Sequence, residues 1–303
     1  MADKRVTRND PVTHVHPASS HWGGTSYKNA PTKSVSVGGT RFAYRELGID
    51  SGVPVIFLNH LAANLDNWDP RVVDGIAAKH RVITFDNRGV GASEGKTPDT
   101  VEAMARDAIA FIKALGFPQV DLLGFSLGGM VTQAIAQQAP TLIRKIILAG
   151  TGPAGGEGIV NVTKITYLDT VHALTTFKDP KELLFFTRTP HGKTEAKAFI
   201  KRLKERTADR DKAIAIRAFR TQLTAIHSWG LAKPADLSVI QHPVLVANGD
   251  DDRMVPTSNS YDLARRLPNA TLRIYPDAGH GGIFQFHDRF VPEALAFLGS
   301  VNA

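Results

Sequence analysis

The chain has 303 residues, no cysteine, and 36 Lys and Arg residues against 29 Asp and Glu residues, which is a formal net charge of +7. This length suits one large domain, or one domain that carries a sizeable insertion. The lack of cysteine excludes disulfides, thiolate nucleophiles and thiolate-ligated metal sites. No stretch approaches about 20 consecutive apolar residues, which excludes a membrane-spanning helix. Residues 1–33 are polar and show no signal-peptide core, so we expect a cytoplasmic protein.

The first 32 residues are rich in Pro, Ser, Thr, Asn and His and show no apolar periodicity. We therefore predict a disordered or loosely attached arm. Its histidines, His14, His16 and His21, lack the neighbouring carboxylates or helical spacing that a metal site needs. We predict no metal there and no cofactor for the chain.

Short apolar runs follow the arm. Residues 34–37 and 41–47, separated by Gly38-Gly39, are typical of an antiparallel hairpin. Later runs have the fully apolar character of strands that are buried on both faces of a sheet. They cover residues 53–58, 82–85, 120–123, 145–148, 244–247 and 272–275.

Helical patterns separate several of these runs. One covers residues 100–115, with Asp99 and Glu102 as its capping signal, and another begins after Ser126 and ends at Pro140. Alternating strands and helices predict an α/β fold with right-handed crossovers and a mostly parallel sheet.

The alternation stops between about residues 155 and 237, where only helical patterns occur. We predict that residues 156–236, called the cap segment below, form a helical cap inserted into a core domain made of residues 33–155 and 237–303. Residues 157–235 contain 15 Lys and Arg residues against 8 Asp and Glu residues, so they hold the whole charge excess. A basic helical patch could meet nucleic acid or an anionic surface. No nucleic-acid motif accompanies it, so we favour a solvated helix face and predict no nucleic-acid partner.

The strongest chemical signal is the hexapeptide at 124–129, Gly-Phe-Ser-Leu-Gly-Gly, which lies between a buried strand and a helix. A sharp strand-to-helix turn exposes a nucleophilic serine, here Ser126, and small flanking residues permit the close backbone approach. The N-terminus of the following helix favours developing negative charge.

A serine hydroxyl needs a base that takes its proton and a carboxylate that orients the base. If the chain order is serine, acid, histidine, only His280 and His287 lie late enough. We favour His280, which lies in a loop just after a strand, whereas His287 lies inside a helical pattern. The acid should follow the preceding strand, and spacing alone leaves the three adjacent aspartates at 250–252 open.

Together these motifs resemble those of the α/β-hydrolase superfamily, in the group of carboxylesterases, cofactor-free haloperoxidases (perhydrolases) and enol-lactone hydrolases. The resemblance covers about residues 34–298 and rests on the motifs at 86–93, 124–129, 249–256 and 279–281. It implies an eight-stranded, mostly parallel sheet flanked by helices, with an inserted helical cap. A serine at position 126 argues against the haloalkane dehalogenases and epoxide hydrolases of this fold, which need an aspartate there.

The resemblance also assigns the remaining site residues. The family pattern Gly-x-x-Asp-x-x-Val-Pro selects Asp252 as the acid. The oxyanion hole uses the backbone N–H of Leu127 and a second N–H from the loop at 59–62. Counting back from Trp68 makes Leu61 the second donor and places His60 where the family has a glycine that tolerates positive φ, so loop geometry is in question. The other register makes Ala62 the donor.

These assignments predict a serine hydrolase that acts on small to medium carboxylic esters. Lactone hydrolysis or perhydrolysis would use the same residues, and a receptor or a cofactor-free oxygenase on the same fold is the alternative from another class. We expect the apolar residues of the cap segment to bury against the open end of the sheet: Ile159, Val162, Tyr167, Leu168, Val171, Leu174, Phe177, Leu183, Phe185 and Phe186. The predicted substrate pocket consists of His60, Ala62, Phe185, Phe186 and Phe284.

Overall fold

A computed structural model describes residues 25–300, in which eight strands form one sheet with the order β1-β2-β4-β3-β5-β6-β7-β8. The strands are β1 (Thr32–Val37), β2 (Thr40–Leu47), β3 (Val55–Leu58), β4 (Val82–Phe85), β5 (Val120–Phe125), β6 (Ile143–Ala149), β7 (Val244–Gly249) and β8 (Ala270–Tyr275). β1 and β2 form the predicted hairpin, and β2 also pairs antiparallel with β4. All other pairs are parallel, which confirms the predicted fold class.

The central strands are apolar on both faces because helices cover both faces of the sheet. Ile56 and Leu58 of β3 belong to one buried apolar cluster, whereas Val55 and Phe57 belong to a second. Successive side chains of a strand point to opposite faces, so each cluster lies on one side of the sheet. This double burial explains the uninterrupted apolar runs in the sequence.

Ten α-helices occur in the described part of the chain: α1 (Pro70–Ala77), α2 (Val101–Ala114), α3 (Leu127–Gln138), α4 (Val162–Thr175), α5 (Pro180–Phe185), α6 (Pro190–Leu203), α7 (Ile216–Leu231), α8 (Ser258–Arg266), α9 (Gly282–Gln285) and α10 (His287–Gly299). The predicted capping residue of α2 was wrong by one position. The N-cap residue is Thr100, which has extended backbone angles, and its hydroxyl accepts a hydrogen bond from the Ala103 N–H. None of these helices is long and apolar enough to cross a membrane.

The predicted N-terminal arm lies mostly outside the described residues, as do His14, His16 and His21. The last part of the arm, residues 25–32, was expected to be loose, but it is attached to the core. The Tyr27 ring is buried, and its backbone N–H donates to the Asp74 carboxylate of α1 at 2.6 Å. The Ser26 hydroxyl donates to the same carboxylate at 2.6 Å, so one aromatic ring and one carboxylate attach this segment to the core.

Helices α4–α7 lie between β6 and β7, where the helical insertion was predicted. That residues 156–236 form a separate cap stays a prediction. The expected burial of their apolar residues was wrong for half of the set, since Tyr167, Leu168, Val171, Leu174 and Phe177 are exposed. The reason is that α4 turns another stripe inward, made of Val162, Thr166, Asp169 and Ala173.

Candidate active site

Ser126 occupies a strained turn between β5 and α3. Its φ of 57° and ψ of −119° are rare for a residue with a side chain. Two glycines make the turn possible. A Cβ atom on Gly124 would lie 2.4 Å from the Gly128 carbonyl oxygen, and one on Gly128 would lie 2.0 Å from the Leu58 carbonyl oxygen. The close packing of β3, β5 and α3 therefore presents Ser126 at the carboxyl end of the sheet.

His280 and Asp252 complete a chain of hydrogen bonds with this serine. His280 Nε2 lies 2.9 Å from Ser126 Oγ, and His280 Nδ1 lies 2.8 Å from Asp252 Oδ2. A carboxylate can only accept, so Nδ1 carries the proton and Nε2 is free to accept the serine proton. All three residues are buried. This arrangement can transfer a proton from the hydroxyl to the imidazole.

The structure distinguishes Asp252 from its two neighbours. Asp250 and Asp251 are exposed, whereas Asp252 is buried and its Oδ1 accepts the backbone N–H groups of Met254 and Val255 at 2.8 and 3.0 Å. These two bonds hold the carboxylate in one orientation toward the imidazole. His287, the other late histidine, begins α10, and burial lowers its pKa.

In the loop after β3, the residue with strained backbone angles is not the one that was predicted. Among residues 25–300, His60 is not one of the positions with positive φ, but Ala62 is, with a φ of 56°. His60 therefore does not need the backbone conformation that favours glycine, and the strained position lies two residues later. Asn59 holds the start of the loop, since its side chain donates to the Phe85 carbonyl at 2.9 Å and accepts the Trp68 indole N–H.

Gln222 of α7 is a residue at this loop that the sequence analysis missed. Its side-chain oxygen accepts the Ala62 N–H at 2.9 Å, and its side chain is fully buried. The Ala62 N–H is therefore occupied, whereas the N–H groups of Leu61 and Leu127 have no acceptor among residues 25–300. This difference favours Leu61 over Ala62 as the second oxyanion donor. The sequence holds no signal for Gln222, which lies 160 residues from Ala62 in an amphipathic helix.

His60 is a neutral side chain beside the candidate triad. Its Nδ1 donates to the Leu61 carbonyl at 2.7 Å, and its Nε2 is buried without a partner among the described residues. Burial lowers the pKa of His60 to about 3, and the charge of Lys181 acts in the same direction. The imidazole packs edge-on against Phe185, with ring centroids 5.1 Å apart.

The aromatic residues of the predicted pocket belong to a buried cluster behind the triad. Phe185 packs against His280, with ring centroids 5.5 Å apart, and its carbonyl accepts the Gly281 N–H at 2.7 Å. Phe186 is buried against Phe199, and Phe284 is fully buried. These contacts make the rings part of the packing that supports the His280 loop. A role in lining a substrate pocket stays a prediction for all three.

The comparisons with known proteins agree with this fold. The family described as alpha/beta hydrolase fold matches residues 53–286. An alpha/beta hydrolase fold protein from Chitinophaga pinensis has 42% identity and a TM-score of 0.86, covering 91% of this chain and 100% of its own. A Caulobacter sp. (strain K31) protein with the provisional name carbamate hydrolase RutD is 30% identical, over 78% of this chain and 87% of its own. A non-heme chloroperoxidase from Streptomyces lividans is 28% identical, over 86% of this chain and 97% of its own. The chain therefore belongs to the α/β-hydrolase family.

Proposed function

We propose that the chain is a serine hydrolase that cleaves small to medium carboxylic esters through an acyl-enzyme on Ser126. The observation that carries the proposal is the continuous hydrogen-bonded chain from Ser126 through His280 to Asp252, with bonds of 2.9 and 2.8 Å. A buried imidazole between a hydroxyl and a carboxylate is the arrangement that activates a serine at neutral pH.

In the first half-reaction, Ser126 Oγ attacks the ester carbonyl carbon while His280 Nε2 takes the hydroxyl proton. The carbonyl oxygen becomes an oxyanion, which the N–H groups of Leu127 and Leu61 stabilise. The imidazolium is stabilised by Asp252. It then returns the proton to the leaving alkoxide as the carbon–oxygen bond breaks, and the acyl group stays on Ser126.

In the second half-reaction, His280 takes a proton from water, whose oxygen attacks the acyl carbon. The second oxyanion collapses, the bond to Ser126 Oγ breaks, and the proton returns to Ser126 as the carboxylic acid leaves. Ser126 is only 5% exposed and His280 2% exposed. Few water molecules therefore compete with the oxyanion donors, and each of their hydrogen bonds is stronger than it would be in water.

A second candidate is perhydrolysis, which the similarity to the Streptomyces lividans chloroperoxidase supports. Hydrogen peroxide would then replace water in the second half-reaction, and the acyl group would leave as a peracid. Lactones would open through the same acyl-enzyme. A comparison of acid and peracid formation from one ester, with and without peroxide, separates these outcomes.

The proposal is tested by labelling with a fluorophosphonate, which reacts with activated serines. We expect one label per chain on Ser126 and turnover of a short-chain ester. Ser126→Ala should abolish both, whereas Ser260→Ala, at another buried serine whose hydroxyl accepts from Asn248, should keep both. Absence of labelling in the unmodified protein would contradict an activated serine and favour the receptor or oxygenase alternative.

A further inference from the structure

Helix α4 buries Val162, Thr166, Asp169 and Ala173, and it exposes most of its larger apolar residues together with Lys164, His172 and Thr175. Tyr167, Leu168, Val171 and Leu174 follow the spacing i, i+1, i+4, i+7, which places them on one side of the helix. Leu168 is 61% exposed and Leu174 is 68% exposed. Phe177, in the turn after the helix, is 99% exposed and has a φ of 54°. We call Tyr167, Leu168, Val171, Leu174 and Phe177 the α4 face; several large exposed apolar residues grouped on one side of a helix are a candidate interaction surface.

Basic residues flank the α4 face. Lys164 lies on the same side of the helix one turn before Leu168, and Lys178 directly follows Phe177; both are exposed. On α7, Phe219 packs against Tyr167 with ring centroids 6.0 Å apart, and the next residue, Arg220, is exposed.

The acidic residues near the α4 face are engaged elsewhere. Asp169 is buried on the opposite side of α4 and pairs with Arg188 and Arg253. Asp179 and Glu182 form the capping box of α5. Asp179 also pairs with Lys181 at 3.5 Å, whereas Lys164, Lys178 and Arg220 form no ion pair among residues 25–300, so the unpaired charge beside the face is basic.

This charge pattern disfavours a second copy of the chain as the occupant. A twofold contact through the α4 face would bring the same basic residues of both copies together, and facing like charges cost several kcal/mol. An anionic occupant gains from the same residues. A 14-residue helix is about 21 Å long, and one that exposes large apolar residues next to Lys can lie flat in a lipid headgroup layer.

We propose that the α4 face binds the surface of an anionic lipid layer, with Phe177 and Leu174 inserted among the headgroups and Lys164 and Lys178 next to lipid phosphates. Aromatic and leucine side chains favour this interfacial region, and each nearby basic residue adds attraction to anionic lipid. The inference concerns binding and does not depend on the reaction at Ser126.

Co-sedimentation of the full chain with vesicles tests the proposal. We expect binding to phosphatidylcholine vesicles that contain about one-third phosphatidylglycerol, and binding at least about tenfold weaker to pure phosphatidylcholine. Leu174→Ser with Phe177→Ser should weaken binding to the anionic vesicles by about tenfold or more. Lys164→Gln with Lys178→Gln should do so on the order of tenfold, as should raising the salt to about 1 M.

The matched control is Val239→Ser with Tyr261→Ser, which removes two exposed apolar side chains outside the cap segment. It should bind like the unmodified chain, and all variants should keep its melting temperature. The proposal is overturned if the unmodified chain does not bind anionic vesicles, or if the Leu174 and Phe177 variant binds equally well. Sedimentation that shows a dimer dissociated by that variant would overturn it in favour of a second copy, and binding of an acidic protein without lipid binding would also overturn it.

Discussion

The loops that carry the candidate triad and the contacts made by the cap segment are held in different ways. Ser126, Asp252 and His280 lie at the carboxyl ends of β5, β7 and β8, and backbone bonds within the core hold the serine and the aspartate. The cap segment contacts the loops of the site through the Gln222 side chain on the Ala62 N–H, and through Phe185, whose ring packs against His280 and whose carbonyl accepts the Gly281 N–H. We infer that the core supplies the three proton-transfer residues, whereas the loop that carries His280 and the oxyanion loop both depend on contacts with the cap segment as well.

The largest effects should come from the core residues. Ser126→Ala and His280→Ala should each lower kcat by about 10⁶, because the two residues act as one unit. Asp252→Asn should lower it by roughly 10⁴, since an amide favours the wrong imidazole tautomer. The exposed neighbours provide the controls in steady-state ester hydrolysis, where Asp250→Asn and Asp251→Asn should remain near full activity. A large loss in either, with a mild effect at Asp252, would refute the assignment of the acid.

Two phenylalanines of the cap segment should differ in how much they contribute to stability. Phe185→Ala should lower the free energy of unfolding by about 3–5 kcal/mol, because its ring is buried against several other rings. Phe177→Ala should change it by less than about 0.5 kcal/mol, because that ring is exposed. Urea unfolding measures both. If Phe185→Ala instead changes the acyl-length preference at unchanged stability, the ring lines the pocket as the sequence analysis predicted.

Loss of the contact between Gln222 and the Ala62 N–H should lower the catalytic rate rather than the affinity for substrate. Gln222→Leu removes the acceptor of the Ala62 N–H, and a misplaced oxyanion loop should lower kcat by about 10- to 100-fold with little change in KM. The affinity for a trifluoromethyl ketone transition-state analogue should fall in parallel with kcat. An unchanged affinity in the slow variant would show that Gln222 has only a structural role.

The smallest effect concerns pH and His60. Because the pKa of His60 is about 3 in the folded chain and about 6.5 in an unfolded one, only the unfolded state gains this proton as the pH falls below about 6.5. Between pH 6.5 and 5 this should reduce the free energy of unfolding by about 1.6 kcal/mol. His60→Asn should remove that part of the pH dependence. Equal pH slopes for the unmodified chain and His60→Asn would contradict the burial argument.

Local sequence patterns were sufficient for the sheet and for the positions of Ser126 and His280. Strands buried on both faces must be apolar throughout, and a nucleophile turn needs small residues at fixed offsets, so both leave a signal within a few residues. Asp252 could be singled out from its neighbours only through the family pattern, because three adjacent aspartates have the same local chemistry. Their catalytic roles stay predictions until the variants are measured.

Features that depend on contacts between distant parts of the chain could be identified only from the three-dimensional structure. The Ala62 N–H is bound by Gln222, which leaves the Leu61 N–H free among the described residues, and no local pattern encodes a bond across 160 positions. The inward side of α4 was equally undetermined, because a helix with apolar residues all around offers two sides that could be buried. The side of α4 that packs inward is the one with the smaller residues, and there Asp169 pairs with Arg188 and Arg253. Packing and ion pairing between segments, rather than periodicity, set both outcomes.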